Sequence, residues 1–552
     1  MTPPDRPAVR ITLGGAVPAA DLPPEVEPLP SAPPRRRWTG RRVAVALVGA
    51  AALLVSGTGL AVAVGLSGGG TQPADVLPAD ALALLQVDFD PSAEQKLAAW
   101  HLARRFDDVG VRTQTSLKDD LVGGFVADAT SLDYDDDLAP WIGDRAGLAL
   151  LPDRTGDGLP DVVVAVAVAD REEAEDALPR VAAGAGGGLT SWAFTDDGDY
   201  VVLAQEPGTA DDAASAEDVL ADDPRWADAV GALEGDQVAT GWVDLGATWD
   251  ALPGGVRDAV SEGYGGELVP AGRYVAGVHL DRAHLELTGR GFGLSLGPDV
   301  PVEGVLGTGA PTRLAAEMPS ASAVAGSIGG FGAYLQSLLM TYAAVPGATE
   351  GLDDIAAELG LSLEQDLPAV LGDDLGFAVL DVSGSPEVGL RTRGGDVDRG
   401  LDVAQRLLDL ASESDEESLE DCLAFYDELA ADPSYGVAPG EAEEACEGLP
   451  LRADLPRSQA PGTVDRVDDG LVFGTTTDAL EQVSGDGGLG STGAFRDAVP
   501  DADGASTVVF VDLDRLLAQL DEDDEQVAPL RAVGFSVGPG LDGAFRLRLT
   551  LD

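Results

Sequence analysis

The chain is 552 residues long and 45% hydrophobic, with 34 Lys and Arg against 96 Asp and Glu, a formal net charge of −62. That length exceeds one compact core and predicts two or more domains, while the hydrophobic content excludes global disorder. So few bases exclude a nucleic-acid-binding protein, because phosphate contacts need clustered Lys and Arg.

The charge is uneven along the chain. Residues 1–42 hold Arg6, Arg10, Arg35, Arg36, Arg37, Arg41 and Arg42 against four acids, and are dense in proline. Proline fixes φ and lacks an N–H, so this stretch is expected to be a disordered tail. Thr2, Ser31 and Thr39 are its phosphoacceptor candidates; the plainer reading is a solvated leader that supplies positive charge.

Residues 43–66 contain no charged side chain. At about 1.5 Å per residue a helix here reaches roughly 36 Å, enough to cross a hydrocarbon core of about 30 Å. Arginine crowds its N-terminal side, so the positive-inside rule places the N-terminus in the cytoplasm and everything after the span outside the cell membrane. The competing reading is a cleaved twin-arginine signal, with Arg41-Arg42 at its start and Ala61-Val62-Ala63 at the cut. The apolar run is longer than such signals carry, so an uncleaved anchor is expected. Gly57, Ala61 and Gly65 form a small-residue stripe suited to helix pairing, but composition alone explains it and no homodimer is assigned.

After a linker at 67–76, the expected fold is α+β. Two units at 77–297 and 312–552, joined by a Gly- and Pro-rich linker at 298–311, read as a tandem duplication of a mostly antiparallel sheet with helices. DVVVAVAVA (161–169) is a β-branched strand, and REEAEDALPRV after it has the apolar spacing of a helix. DYVVLA (199–204) and GLVFGT (470–475) read as hairpin strands, and each unit closes with two strands. The internal match is clearest between DLAPWIGDRAGLALL (137–151) and DLPAVLGDDLGFAVL (366–380). WADAV (226–230) parallels FRDAV (495–499), and GWVDL parallels FVDL, in the same order.

Cys422 and Cys446 lie in a helical insertion near 412–448 that the first unit lacks. Outside the cytoplasm an isolated pair is expected to be a disulfide, and closing that loop would contribute on the order of 3 kcal/mol.

Asp153, Thr155, Asp157 and Asp161 stand at the spacing of a calcium loop, with Gly158 at its sharp turn. Thr155 replaces an acid, Val164 replaces the closing Glu, and the plainer reading is a polar hairpin loop. Ca²⁺ is therefore the one cofactor candidate. Other templates fail on context. Ala325-Gly326-Ser327-Ile328-Gly329 imitates a nucleophile elbow, but His101, His279 and His284 all precede the serine, so the hydrolase order cannot be met. The glycines at 485, 487 and 490 match a phosphate-loop pattern, but they follow an expected helix instead of a strand. The acidic runs at 133–137, 413–418 and 521–525 read as solvated faces and turns.

Leu77-Pro78-Ala79-Asp80, the run Val87-Asp88-Phe89-Asp90-Pro91-Ser92, then Gln95-Lys96-Leu97 and Arg105-Phe106 resemble the uncharacterised bacterial family called domain of unknown function 3352. The resemblance implies a membrane-anchored envelope protein and brings no catalytic residues with it. The second unit lacks the DPS…QKL element.

The expected function is a non-enzymatic binding or scaffolding module of the cell envelope. Its partners are the bilayer, through residues 43–66, and an envelope protein or small ligand seated in a cleft between the units. The alternatives are a carboxylate-dependent envelope hydrolase and a transmembrane signalling protein that uses its tail.

Overall fold

The structure is a computed structural model. It describes residues 70–90, 92–105, 133–156, 158–184, 188–263, 268–297, 309–336, 356, 360–383, 386–408, 462–485, 487–520, 528–540 and 542–552. The expected tail, the apolar span, both cysteines, the insertion around them and Asp157 lie outside these residues. Among the described residues no helix is long and apolar enough to cross a membrane.

Among the described residues, sixteen strands form one antiparallel sheet. The first half of the chain supplies β1 (Ala83–Asp88), β2 (Ile142–Leu151), β3 (Asp161–Val168), β4 (Ser191–Phe194), β5 (Tyr200–Ala204), β6 (Ala239–Asp244), β7 (Ala271–Leu280) and β8 (His284–Ser295). The second half supplies β9 (Val324–Ile328), β10 (Asp374–Asp381), β11 (Glu387–Arg393), β12 (Thr463–Val467), β13 (Gly470–Gly474), β14 (Thr507–Asp512), β15 (Leu530–Val537) and β16 (Phe545–Leu551). From one edge the order is β4-β5-β3-β2-β1-β6-β7-β8, and it continues β16-β15-β14-β9-β10-β11-β13-β12. Each half thus runs through its eight strands in the same order, and the two halves meet at their last strands.

Strand alternation explains the layering. In β3, Val163 and Ala165 enter one core, while Val166 on the opposite face enters a second beneath the helix Arg171–Gly184. That helix buries Ala174, Ala177, Leu178 and Val181, the spacing of a single helical stripe. On the first face, the short helices Pro207–Ala214 and Pro224–Val230 cover the sheet. Gly493–Ala498 does the same in the second half. Trp226 meets Trp242 edge-to-face at 5.9 Å and 73°, and Phe495 meets Phe510 at 5.3 Å and 65°. In both pairs one ring comes from the short helix and the other from the strand that follows it.

The matched sequence segments have matching contacts. Leu77 and Met318 are fully buried, and their carbonyls accept from the N–H of Leu220 and Leu489. Gly147 and Gly376 leave room for the side chains of Pro73 and Leu314, which press on β2 and β10.

The seam is a strand ladder. β8 and β16 pair antiparallel from Gly289–Phe545 to His284–Thr550, each satisfying the N–H and C=O groups that an edge strand would leave open. Gly289 makes room for the Phe545 ring, which stacks on Tyr274 at 6.3 Å. The Tyr274 hydroxyl donates to the Gly543 carbonyl at 2.7 Å, a second tie across the seam.

Candidate functional site

Directly over the β8–β16 seam lies a groove of about 210 Å³. Its walls are the turns after the two short helices, Ala232–Glu234 from one half and Asp501 from the other. Strand alternation places Thr288, Arg290, Ser536 and Arg546 on its floor. The β8–β16 register sets Arg546 opposite Thr288 and Arg548 opposite Glu286. Pairing through β7 and β15 makes Arg290 and Arg548 counterparts, since Val275 and Gly534, which face them, hold matching places. By the same pairing Thr288 and Arg546 are counterparts, so the groove sits on the local two-fold axis that relates the halves.

The electrostatics are dense. Arg546 lies 3.4 Å from Glu234, 3.1 Å from Asp501 and 3.5 Å from Glu286. Arg548 reaches Glu286 through Nε at 2.8 Å and donates to the Asp497 carbonyl at 3.1 Å. Arg290 pairs with Asp542 at 3.2 Å. Glu286 is a carboxylate taken almost out of water and held by two guanidinium groups, an arrangement that survives only because both partners are in place. Arginine neither takes nor gives a proton near neutral pH. With Glu286 committed to two of them, the floor suits charge recognition and not proton transfer.

The DPS…QKL element has a positional job. Asp88 is buried, accepts from the Asp90 N–H at 2.8 Å and from Gln72 at 3.3 Å, and pairs with Arg145 at 2.5 Å. Ser92 caps the helix Ala93–Ala103 by accepting from the Gln95 N–H at 3.4 Å. Gln95, also buried, accepts from the Leu280 N–H at 3.0 Å and contacts His279 Nδ1 at 3.0 Å. Lys96 pairs with Asp90. The motif therefore fastens the helix to β7 and the chain at Gln72 to β1 and β2.

In the calcium-like loop, Asp153 accepts from the N–H groups of Gly156 and Gly158, each at 2.6 Å, and these bonds hold its carboxyl below the usual range. Thr155 donates to Asp153 at 3.3 Å. Asp161, buried, accepts from the Arg154 N–H at 2.8 Å, while the Arg154 guanidinium reaches Asp80 at 2.8 Å. Three of the four residues proposed from spacing are thus joined in one hairpin loop by hydrogen bonds from its own backbone and Thr155; Asp157 is not described.

Ser327 is the penultimate residue of β9, fully buried and held in ladder register with Gly376 on one side and Val508 on the other, so its hydroxyl does not stand open at a strand end as an elbow nucleophile must. Gly485, Gly487 and Gly490 follow the helix Thr477–Ser484, and Gly487 lets the chain pass against the Glu317 carbonyl. His279 and His284 sit on adjacent strands, and His279 Nδ1 also lies 2.8 Å from the Asp236 carbonyl. Within the acidic run at 133–137, Asp133 caps the turn Tyr134–Leu138 by accepting from the Asp136 N–H at 3.1 Å.

Sequence reasoning missed the seam residues. The one signal was FRLRLTL, where arginine alternates with large apolar side chains in a very acidic chain. Such alternation marks a strand with one charged face, but its acidic partner lies 262 residues away.

Residues 42–191 match the family described as Protein of unknown function (DUF3352). No curated protein and no solved structure matches the chain.

Proposed function

We propose that this chain, of the DUF3352 family over residues 42–191, is a single-pass membrane-anchored binding or scaffolding module of the cell envelope. In this reading residues 43–66 cross the bilayer, the N-terminal tail is cytoplasmic, and the sixteen-stranded sheet stands outside. The two eight-strand halves descend from one duplicated unit, a reading supported by their common strand order and by matching residues in matching contacts.

The observation that carries the binding function is the groove on the axis between the halves. It offers Arg290 and Arg546, the carboxylates of Glu234 and Asp501, and the hydroxyls of Thr288 and Ser536 within about 210 Å³. Charges of both signs beside hydroxyls suit a small polar ligand, or a side chain of a partner protein, that carries both charges. The net charge of −62 disfavours anionic wall polymers as partners and favours cationic or zwitterionic ones.

The test is in-cell photo-crosslinking from Ala232 and Ala544, two groove positions outside the ion pairs, with mass spectrometry of everything captured. A recurrent protein or a zwitterionic small molecule at both positions supports the reading. Capture of anionic wall polymer alone would overturn it.

A further inference from the structure

We propose that the helix Ala93–Ala103 rests on an anionic lipid headgroup surface through Lys96, Leu97, Trp100, His101 and Arg104. The inference rests on the membrane anchoring proposed above and adds which part of the sheet faces the bilayer.

Chain geometry comes first. Six peptide steps separate Leu66, the end of the apolar segment, from Gln72. Even fully extended they span only about 20 Å. Gln72 is not free to drift from the sheet. Its amide donates to Asp88 at 3.3 Å, and the neighbouring Thr71 carbonyl accepts from the Tyr200 hydroxyl at 2.8 Å. Gly70 lies against the Arg145 guanidinium. The same Asp88 accepts from the Asp90 N–H, and Asp90 pairs with Lys96. A short run of contacts therefore ties the helix to the point where the chain leaves the membrane, and holds both close to the headgroup layer.

The chemistry of the helix fits that place. Its inner face is Gln95, Ala98 and Ala99, all buried, with the alanines packed on Val238 and Leu280. The other side carries Leu97, 37% exposed, and the exposed Arg104. Arg104 lies over the Trp100 ring at 4.5 Å, and His101 meets that ring at 5.1 Å. Lys96 is one of two lysines in the whole chain. A tryptophan with arginine and lysine around it is the residue set that settles at a membrane–water boundary, where the ring sits at headgroup depth and the cations meet lipid phosphate. Glu94 is the acid on this side of the helix, beside Asp90, which Lys96 pairs. Elsewhere the chain is so acidic that an anionic surface would repel it.

The test uses the full-length chain in nanodiscs of phosphatidylglycerol or of phosphatidylcholine, each with a nitroxide on the headgroup, and reads tryptophan quenching. Trp100→Phe isolates the contribution of Trp100 from the other six tryptophans. The expected result is a Trp100 component that is quenched in phosphatidylglycerol and much less in phosphatidylcholine. The Arg104→Glu variant, which leaves the Lys96–Asp90 tie in place, is expected to lose most of that component with its unfolding transition unchanged. Incorporation into both discs with equal quenching in wild type and Trp100→Phe would overturn the inference and leave the anchor standing. Failure to incorporate into either disc would overturn the anchor reading and the inference together.

Discussion

Asp366 occupies in the second half the place that Asp137 occupies in the first. Each accepts from the backbone N–H four residues earlier, at 2.6 Å from Ser362 and 3.0 Å from Asp133. Each also pairs with an arginine on the helix that follows two strands later, Arg399 at 2.6 Å and Arg180 at 3.1 Å. The shared aspartate of DLPAVLGD and DLAPWIGD is thus a lock between a turn and a helix. In both, the backbone N–H first and the arginine second hold the carboxyl below its ordinary value.

Because both pKa values are depressed on folding, the stability these groups add is full above the ordinary value of 3.8 and is lost as pH falls through the folded values. Asp366→Ala is expected to cost about 1–3 kcal/mol at pH 7, from the donor left unpaired, and less at pH 3, below the ordinary carboxylate value. Asp137→Ala should cost less, since its side chain is 19% exposed against 7% for Asp366. Urea unfolding of the variants at the two pH values checks both the order and the convergence.

His284 is the opposite case for a base. Burial first, then the positive charge of Arg548, hold its pKa below 6.5. The unfolded chain binds a proton there that the folded chain resists, so stability is full above about pH 6.5 and falls as pH drops below it, by at most about 1.4 kcal/mol per pH unit. His284→Gln should remove that slope. Urea midpoints at pH 7.5 and 5.5 for wild type and variant decide it; equal slopes in the two would show that another group is responsible.

Glu286 holds the seam in this structure, so Glu286→Gln should cost about 1–3 kcal/mol by leaving Arg548 without its carboxylate, while Arg546 keeps Asp501 and Glu234. The loss should appear locally as faster amide exchange in β8 and β16, with the outer strands of each half unchanged. Uniform acceleration across the sheet would mean that the network supports the whole fold and not the seam.

Gly147 and Gly376 predict an asymmetry. A Cβ on Gly147 would stand 2.5 Å from the rigid Pro73 ring, whereas on Gly376 it would meet Leu314 at 2.9 Å and the flexible end of Met318 at 3.1 Å. Gly147→Ala is therefore expected to lower the thermal midpoint more than Gly376→Ala, by a difference of about 1–2 kcal/mol. Thermal unfolding of the two single variants measures it.

Much of the local structure was legible because it depends on near neighbours. DVVVAVAVA alternates between two cores, so it reads as a strand and is one. REEAEDALPRV carries one apolar stripe and forms the expected helix. The antiparallel α+β class followed from such segments. The calcium-like spacing was also local, and in the structure Asp153 and Asp161 of that loop accept backbone N–H groups. What spacing alone does not reveal is which backbone N–H groups those carboxylates meet.

By itself the sequence determined the strand at 161–169 with the amphipathic helix after it, the hairpin strands near 199–204 and 470–475 and the two closing strands of each unit, since alternation and the 3.6-residue stripe are properties of consecutive residues. Only the tertiary structure decided that the two halves share one sheet instead of standing apart. It also placed Glu286 between Arg546 and Arg548, and fixed Asp88 between Gln72 and Arg145. The reason is physical. An edge strand's open N–H and C=O groups pair with whatever edge comes alongside, and a buried charge needs its partner at hydrogen-bond distance in space. Neither demand leaves a period in the chain that could be read from one end to the other.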